Sequence, residues 1–197
     1  MDRDTSRLFE GFKEAPRDLD ASRPVLDVSI RTARVSDADC IGRISADREG
    51  RDPETEIAAV RRSLSDGNLV QSRMVLVAEV DGSIVGFGRA QYRDMEPSES
   101  GGSLPEGWYL TGVVVDPRFR RLGIGSQLTA ARMRWIAERG SVAYYFANAR
   151  NRVSIALHES FGFVEVARGP TLGSESFAGG EGVLFRAKLS GLERRAP

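Results

Sequence analysis

The sequence is short of several features on which whole classes of function depend. Its 197 residues include one cysteine, so the chain cannot form an internal disulfide, and we expect a reducing, cytoplasmic compartment. Acidic and basic residues balance at 28 each, which leaves no net charge to attract nucleic acid or a membrane surface. No apolar run approaches the ~20 residues of a membrane-spanning helix. We therefore expect a soluble protein that binds neither nucleic acid nor membrane.

The two ends of the chain lack the patterning of the rest. Residues 1–26 mix both charges with few apolar side chains. The acidic Asp2, Asp4 and Glu10 stand where a signal peptide would be basic and then apolar. We predict an N-terminal extension over 1–26, with at most one short helix, a single domain over 27–190 and a C-terminal tail over 191–197.

One segment, Val113–Leu128, has the pattern of an anion-binding site. A β-branched run ends at Pro117, crosses a basic loop and reaches Gly123-Ile124-Gly125, which opens a helix. Glycines let the backbone approach a ligand closely, and a helix start presents unpaired N–H groups to a phosphate. Two familiar phosphate loops are excluded. A Walker A loop needs a lysine where Ser126 stands, and a Rossmann fingerprint needs a small residue where Leu128 stands.

The pattern Arg120-x-x-Gly123-x-Gly125 resembles motif A of the GNAT superfamily of N-acetyltransferases, which cradles the pyrophosphate of acetyl-CoA. Further along the chain, Asn151–Phe163 is similar to the family's second signature, a helix followed by Gly-Phe. The resemblance spans roughly Ile30 to Leu189 and is specific between Val113 and Val166. It implies acetyl-CoA as co-substrate, an amine as acceptor, and no metal.

The resemblance also implies which residues hold the cofactor. Backbone N–H groups of the loop and helix start would bind the pyrophosphate, the preceding strand would pair with pantetheine like an added β-strand, and two polar side chains would complete the clasp. In this sequence these are, in turn, Arg120, Arg121, Leu122, Gly123, Ile124, Gly125 and Ser126; Val113, Val114 and Val115; and Asn151 and Ser154. Six arginines against two acids between 116 and 139 suit a polyanionic cofactor. Asn151 is equally well placed as a simple helix N-cap.

The residues for proton transfer have weaker signals. His158 stands where the family usually carries the tyrosine that protonates the leaving thiolate, so it is the candidate general acid. A histidine packed at the end of a helix would give the same sequence. Many relatives have a catalytic glutamate in or beside the strand that here reads Trp108–Gly112, which contains no acid. Glu79 and Glu106 are therefore the candidate bases, each acting through a water; both are also readable as ordinary solvated glutamates.

The acceptor is indicated only by the segment 94–106, which has four acids and no basic residue. An acidic loop would attract a cationic amine, so the first hypothesis is an N-acetyltransferase for a small cationic primary amine. Two alternatives stay open: a protein or peptide N-terminal or lysine acetyltransferase, and a catalytically weak CoA-binding module. Family members often pair, so a homodimer is a candidate assembly.

The periodicity predicts a mixed α/β (α+β) fold with a hairpin at Asp81-Gly82. The resemblance implies a single GNAT-like domain with a mixed, mostly antiparallel splayed central sheet flanked by helices. Ser36 is the predicted N-cap of the first helix. The predicted strands are 28–34, 74–80, 84–92, 108–115, 142–147, 164–167 and 183–189, and the predicted helices are one through Arg48, one from Pro53, one after the Gly-x-Gly turn and one over 151–161.

Overall fold

The computed structural model describes residues 26–66, 72–96, 102–177 and 180–189. The strands are β1 Val28–Thr32, β2 Arg73–Val80, β3 Ser83–Arg93, β4 Gly107–Val115, β5 Val142–Asn148, β6 Val164–Gly169, β7 Thr171–Leu172, β8 Glu175–Ser176 and β9 Gly182–Lys188. The helices are α1 Ala38–Glu49, α2 Pro53–Ser65, α3 Ile124–Ala137 and α4 Arg152–Glu159, with short 3-10 turns at Val35–Asp37 and Pro117–Phe119. In these residues no helix is long and apolar enough to cross a membrane.

The central sheet has the strand order β1-β2-β3-β4-β5-β9-β6. All its neighbours are antiparallel except β4 and β5, which run parallel. These two strands pair only at Trp108 with Ala143 and at Tyr109 with Tyr144, and beyond that point they separate. The prediction of a mixed, mostly antiparallel and splayed sheet flanked by helices is therefore confirmed. The splay leaves one edge of β4 without a neighbouring strand in the middle of the sheet.

The two faces of the sheet are covered by different helices. On one face α3 packs against β3 and β4, and Leu128 and Ile136 are fully buried among the side chains of the largest core cluster. On the other face α1 packs on β3 and β4, with α2 against α1. There a second cluster joins Ile41 and Val60 to Phe87 and other sheet residues. Each helix thus buries one apolar stripe, as amphipathic helices of a layered fold do.

The predicted hairpin turn between β2 and β3 is confirmed, whereas the predicted cap of the first helix is wrong. Asp81 and Gly82 have φ values of 49° and 72°, as a two-residue hairpin turn requires. The prediction that Ser36 caps the first helix is wrong, because Ser36 lies inside a 3-10 turn and α1 begins at Ala38. The Asp37 carboxylate instead accepts a hydrogen bond from the Arg34 N–H at 2.7 Å.

The β7–β8 hairpin and the two ends of the chain differ from the elements described so far. The short hairpin of β7 and β8 was not predicted; its strands are two residues each, too short for an alternation signal. The predicted extension, except Leu26, and the predicted tail lie outside the described residues.

Candidate active site

The open edge of β4 begins at a bulge. Opposite Gly88 and Arg89 of β3, the pairing shifts from Val113 to Thr111, so Gly112 is an extra residue with φ of 57°. A left-handed glycine is the usual way to insert a residue into an antiparallel ladder. Its consequence is that the side chain of Thr111 lies on the α1 side of the sheet, as its register partner Arg89 does, whereas Val113 packs on the α3 side.

Backbone groups beyond the bulge face the gap between β4 and β5. The Asp116 N–H donates to the Val85 carbonyl at 2.9 Å. Because alternate residues of an antiparallel strand bond to the same neighbour, Val114, two residues earlier, is also hydrogen-bonded to β3. The N–H and C=O of Val113 and Val115 therefore face the open edge. Two side chains reach the carbonyls there: Arg48 Nη1 donates to Val113 O at 3.0 Å and Arg120 Nε donates to Val115 O at 3.1 Å.

The loop after β4 ends in a helix start suited to an anion. Asp116 caps the 3-10 turn by accepting from the Arg118 N–H at 2.9 Å. Arg121 and Gly123 both take left-handed conformations, with φ of 61° and 78°, and α3 begins at Ile124. The first helical N–H groups have no acceptor within a helix, so they project toward the open end of the site. A Cβ on Gly123 would meet nothing within 4 Å, so this backbone is open to an approaching ligand.

The arginines between 116 and 139 do not act together. Arg118 pairs with Asp116, and Arg139 pairs with Glu138 while lying 3.7 Å above the Trp135 ring. Arg132 is fully buried, so it belongs neither to a cofactor-facing surface nor to a solvated basic face of the helix. Arg120, whose Nε donates to Val115 O, and Arg121 are the basic residues of the loop itself.

Arg132 instead stabilises the bulge from the α3 side of the sheet. Its guanidinium donates to Leu128 O at 3.2 Å, to Arg89 O at 3.1 Å and to the Thr129 hydroxyl at 2.9 Å. Gly88 makes room for it, because a Cβ there would lie 2.9 Å from Arg132 Nε. Burial lowers the pKa of Arg132 to about 9. A bulge leaves strand carbonyls without their ladder partner, and Arg132 supplies the donor for Arg89 O.

On the far side of the gap, α4 presents the second set of predicted residues. Asn151 is the N-cap, and its side chain accepts from the Ser154 N–H at 3.3 Å. The Ser154 hydroxyl accepts a hydrogen bond from the Tyr145 hydroxyl at 2.7 Å. Asn151 is exposed and Ser154 is half-buried, so both side chains are accessible from the gap side of the helix.

His158 is placed differently from its two helix neighbours. It is 1 % exposed and stacks on Tyr145 with ring centroids 3.6 Å apart. Its Nδ1 lies 2.8 Å from Ser154 O, and because a carbonyl only accepts, Nδ1 carries the proton. Nε2 is buried without a hydrogen-bond partner among the described residues. Burial lowers the pKa of His158 to about 4, so the ring is neutral at physiological pH and its one N–H is used within the helix.

The structure brings neither predicted base to the open edge. Glu79 lies on β2, where the Arg31 guanidinium donates to it at 2.7 Å and lowers the pKa of its carboxyl group. Glu106 precedes β4 at the end where β4 and β5 are still paired, and it accepts from the Tyr92 hydroxyl at 2.5 Å. The carboxylate connected to the edge is Glu49, at 3.3 Å from Nε of the Arg48 that reaches Val113 O. Glu49 ends α1 in a charged stretch, and no motif in the sequence distinguishes it from its neighbours.

The α1 side of the sheet contains two separate apolar clusters along β4. Val114 belongs to the cluster under α1 and α2. Tyr109 belongs to another, with Leu104, Leu172 and Leu184, and stacks on Tyr144 with centroids 5.2 Å apart. Thr111 lies between them and belongs to neither. The aromatic residues of β4 and β5 are thus divided between the two faces, because Trp108 and Tyr145 face α3.

This arrangement, an open strand leading into an anion-binding helix start within a splayed sheet, is that of an acyl-CoA-dependent acyltransferase. Residues 38–163 match the model of the acetyltransferase (GNAT) family. Because this is more than half of the chain, the protein belongs to that family, and it is an acetyltransferase by fold. No curated protein sequence matches the chain.

Solved structures agree with this assignment. A ribosomal-protein-alanine N-acetyltransferase from Brucella melitensis is 27 % identical, with a TM-score of 0.59 over 81 % of this chain and 99 % of that one. A GNAT family protein from Desulfovibrio desulfuricans has a TM-score of 0.63 at 17 % identity, covering 83 % and 99 %. YncA from Salmonella typhimurium, solved with its cofactor acetyl-CoA, has a TM-score of 0.61 at 20 % identity, covering 86 % and 97 %. The latter two are similar in fold alone.

Proposed function

We propose that the protein transfers the acetyl group of acetyl-CoA to the primary amine of a small molecule. The N–H groups of Arg120–Ser126 would hold the pyrophosphate, and the open edge at Val113–Val115 would pair with pantetheine. Asn151 and Ser154, across the gap on α4, complete the site. Support comes from the left-handed Arg121 and Gly123, which aim the loop backbone outward, and from the unpaired β4 edge.

The reaction needs little from side chains beyond placement. An amine attacks the thioester carbon, the carbon–sulfur bond breaks, the amine loses a proton and the thiolate gains one. The Val113 N–H faces the gap, where it can donate to the oxygen on which charge develops. The candidate carboxylate is Glu49, which pairs with the Arg48 that donates to Val113 O. We assign it, acting through a water, as the base for the amine proton.

One observation favours a small acceptor over a peptide. Residues 102–106, which precede β4, lie over the sheet, where Leu104 bridges to Glu96 and Gly102 bridges to Leu172 of β7. Leu104 and Leu172 are completely buried against Tyr109. This cover lies on the α1 side at the paired end of β4 and β5, and we infer that it would close that end of an acceptor site around Thr111. A groove for a peptide would have to be open on both sides.

The expected preference for a cationic acceptor has weaker support. Of the acids in 94–106, Glu96 accepts from the Ser174 hydroxyl at 2.7 Å and pairs with Arg93 at 3.0 Å. Glu106 is bonded to Tyr92. These two carboxylates are already partnered, whereas Asp94 is exposed and Glu99 lies outside the described residues. We therefore propose a small primary amine without requiring further positive charge.

A peptide acceptor is the second candidate. It is favoured by the 27 % identity with the ribosomal-protein-alanine N-acetyltransferase of Brucella melitensis, which is higher than for the other structures named above. Under this alternative the acceptor is the N-terminal amine of a protein. A homodimer remains a prediction for either acceptor.

Acetyl-CoA turnover, followed by release of free thiol, tests the proposal. The panel should contain small amines and peptides that begin with alanine. We expect turnover with small amines at kcat/KM at least tenfold above that with any peptide. Faster turnover of the peptides would favour the second candidate. Thermal stabilisation by acetyl-CoA without turnover of any amine would instead favour a CoA-binding module.

A further inference from the structure

Arg89 is a charged side chain beside the bulge that has no hydrogen-bond or ion-pair partner among the described residues. It faces Thr111 in the β3–β4 register, one residue before Gly112. Its guanidinium lies 4.7 Å above the Phe87 ring and is half-buried. Among the described residues no group accepts a hydrogen bond from this guanidinium and no carboxylate forms an ion pair with it. Burial lowers the pKa of Arg89, while Glu56 and Glu49 oppose that shift from a distance.

The two nearby carboxylates each pair with another arginine. Glu56 accepts from the Ser45 hydroxyl at 3.0 Å and pairs with Arg51 at 3.1 Å. Glu49 pairs with Arg48. Each acid therefore already has an arginine of its own, and Arg89 is the third arginine of a group with two carboxylates. A partly desolvated cation in this position retains attraction for an anion.

Arg89 also lines a cavity. The cavity has a volume of about 570 Å³ and lies between α2 and the ends of β1, β2 and β3. Its wall combines apolar side chains, among them Ile41, Val60, Leu64 and Met74, with charged ones, which besides Arg89 are Arg51, Glu56, Asp66 and Arg73. Apolar walls with convergent polar groups are typical of small-molecule sites. A ligand whose anionic group contacts Arg89 would place its apolar part against the apolar side chains of this wall.

We propose that Arg89 binds an anionic group, a carboxylate or phosphonate, of a small molecule that occupies this cavity, and that this molecule is the acceptor amine. The proposal rests on the proposed function. β3 and β4 are neighbouring strands, about 4.8 Å apart, so Arg89 lies one strand away from the strand whose open edge would hold the thioester. The acceptor is then an amine that also bears an acid and an apolar portion. Planar guanidinium groups suit this recognition because they bind carboxylates through two parallel hydrogen bonds.

Matched acceptors and matched variants test the proposal. Each amine should be supplied as a free acid and as the corresponding uncharged carboxamide. The variants are Arg89→Gln, Arg89→Lys and the control Arg62→Gln, an exposed arginine of α2 outside the cavity. Thermal midpoints with and without acetyl-CoA establish that each variant is folded and binds cofactor.

We expect the wild type to prefer the acid over the carboxamide by about tenfold or more in kcat/KM, the size of a lost hydrogen bond to a charged group. Arg89→Gln should remove this preference through a higher KM for the acid, with the carboxamide unchanged. Arg89→Lys should restore part of it, and Arg62→Gln should behave as wild type. Equal use of acid and carboxamide by the wild type, or an equal loss for both in Arg89→Gln, would overturn the proposal.

An acid that lacks the amine shows whether the anion bound at Arg89 belongs to the acceptor or to a separate effector molecule. If the anion site belongs to the acceptor, this acid should inhibit competitively against the amine substrate and lose its effect in Arg89→Gln. Stimulation of turnover by the acid would show a separate effector site and overturn the acceptor assignment. The proposed function itself fails in a different way, when no amine of either kind is acetylated.

Discussion

The two faces of the sheet present different kinds of site. On the α3 side, the predicted cofactor residues are consecutive or helically spaced, and their binding groups are largely backbone: the β4 edge, the left-handed loop and the start of α3. On the α1 side, Arg48, Glu49, Arg89 and Thr111 come from three elements that are far apart in the chain. Their binding groups are side chains. A site made of backbone needs glycines at fixed spacing and so leaves a motif, whereas a site made of side chains leaves none.

The largest effect should come from breaking the backbone site. Gly125→Val adds a branched side chain at the helix start, where a Cβ would meet only Leu157 at 3.7 Å. The fold should therefore persist while the branch blocks close approach to the N–H groups. We expect acetyl-CoA affinity to fall on the order of 100-fold, as for the loss of one or two charge-assisted hydrogen bonds. Isothermal titration measures it.

The matched control is Gln127→Val, which places the same side chain on an exposed position of the same helix turn. It should bind acetyl-CoA as the wild type does. At a hundredfold excess over Kd, acetyl-CoA should stabilise wild type and control by about 2.7 kcal/mol. Unchanged affinity in a folded Gly125→Val protein would place the pyrophosphate elsewhere.

A pH series sharpens the comparison on the cofactor side. The unfolded chain takes up a proton on His158 near pH 6.5, whereas the folded protein does so only near pH 4. The neutral His158 therefore contributes stability to the folded protein that is fully present above about pH 6.5. This stability is lost progressively as the pH falls toward 4, because the unfolded chain takes up the proton first. We expect about 3 kcal/mol of stability to be lost through this group across the window. Urea denaturation at several pH values gives the difference in free energy of unfolding between wild type and His158→Phe. This difference should not change with pH if His158 is solvated.

The bulge can be tested from its buried side. In Gly88→Ala the new Cβ would lie 2.9 Å from Nε of Arg132, a side chain fixed by three hydrogen bonds and fully buried. Overpacking of this kind costs about 1–3 kcal/mol. We expect the free energy of unfolding to fall by that amount, with kcat reduced because the β4 edge shifts. Gly125→Ala, in ordinary contact with Leu157, should keep its stability. Equal stability of the two variants would show that Arg132 moves freely.

The smallest effect concerns His158 as general acid. Its sequence position predicts a loss of roughly 100-fold in turnover for His158→Phe, the contribution of a positioned acid. The buried geometry predicts only a few-fold change, because its N–H donates to Ser154 O and no N–H faces the gap. We expect the second outcome, with a larger loss for Tyr145→Phe, whose hydroxyl donates to Ser154. A drop near 100-fold in His158→Phe, with KM for acetyl-CoA unchanged, would restore the first assignment.

The sequence predicted much of the fold because its signals are local. The hairpin at Asp81-Gly82 needs two left-handed residues, and α2 begins at Pro53 with Asp52 accepting from the Thr55 N–H. Such features depend on residues within one turn of each other. Ser36 misled because capping preference is a local tendency, and at this position the Asp37 carboxylate accepts from both Arg31 and the Arg34 N–H.

Side-chain roles were harder to predict because burial decides them. His158, Ser154 and Asn151 share one helix face in the sequence, yet the aromatic packing of Tyr145 and Phe163 buries only His158 among them. In the sequence, nothing distinguishes Arg132 from its exposed neighbour Arg134. The structure buries Arg132 completely, in the space beside Gly88. Periodicity assigns a residue to a face, but it does not state what lies opposite that face.

By itself the sequence determined the family, the order of the elements and the backbone site, because the loop Arg120–Gly125 must have glycines where the chain turns and a helix where the phosphate would bind. The tertiary structure alone decided that β4 and β5 separate after two paired residues, that Arg48 reaches Val113 O and that Arg89 lies beside Thr111, over the Phe87 ring. The physical reason is the range of the interactions. Backbone conformation is set by neighbouring residues, whereas desolvation and charge pairing depend on groups that only folding brings together.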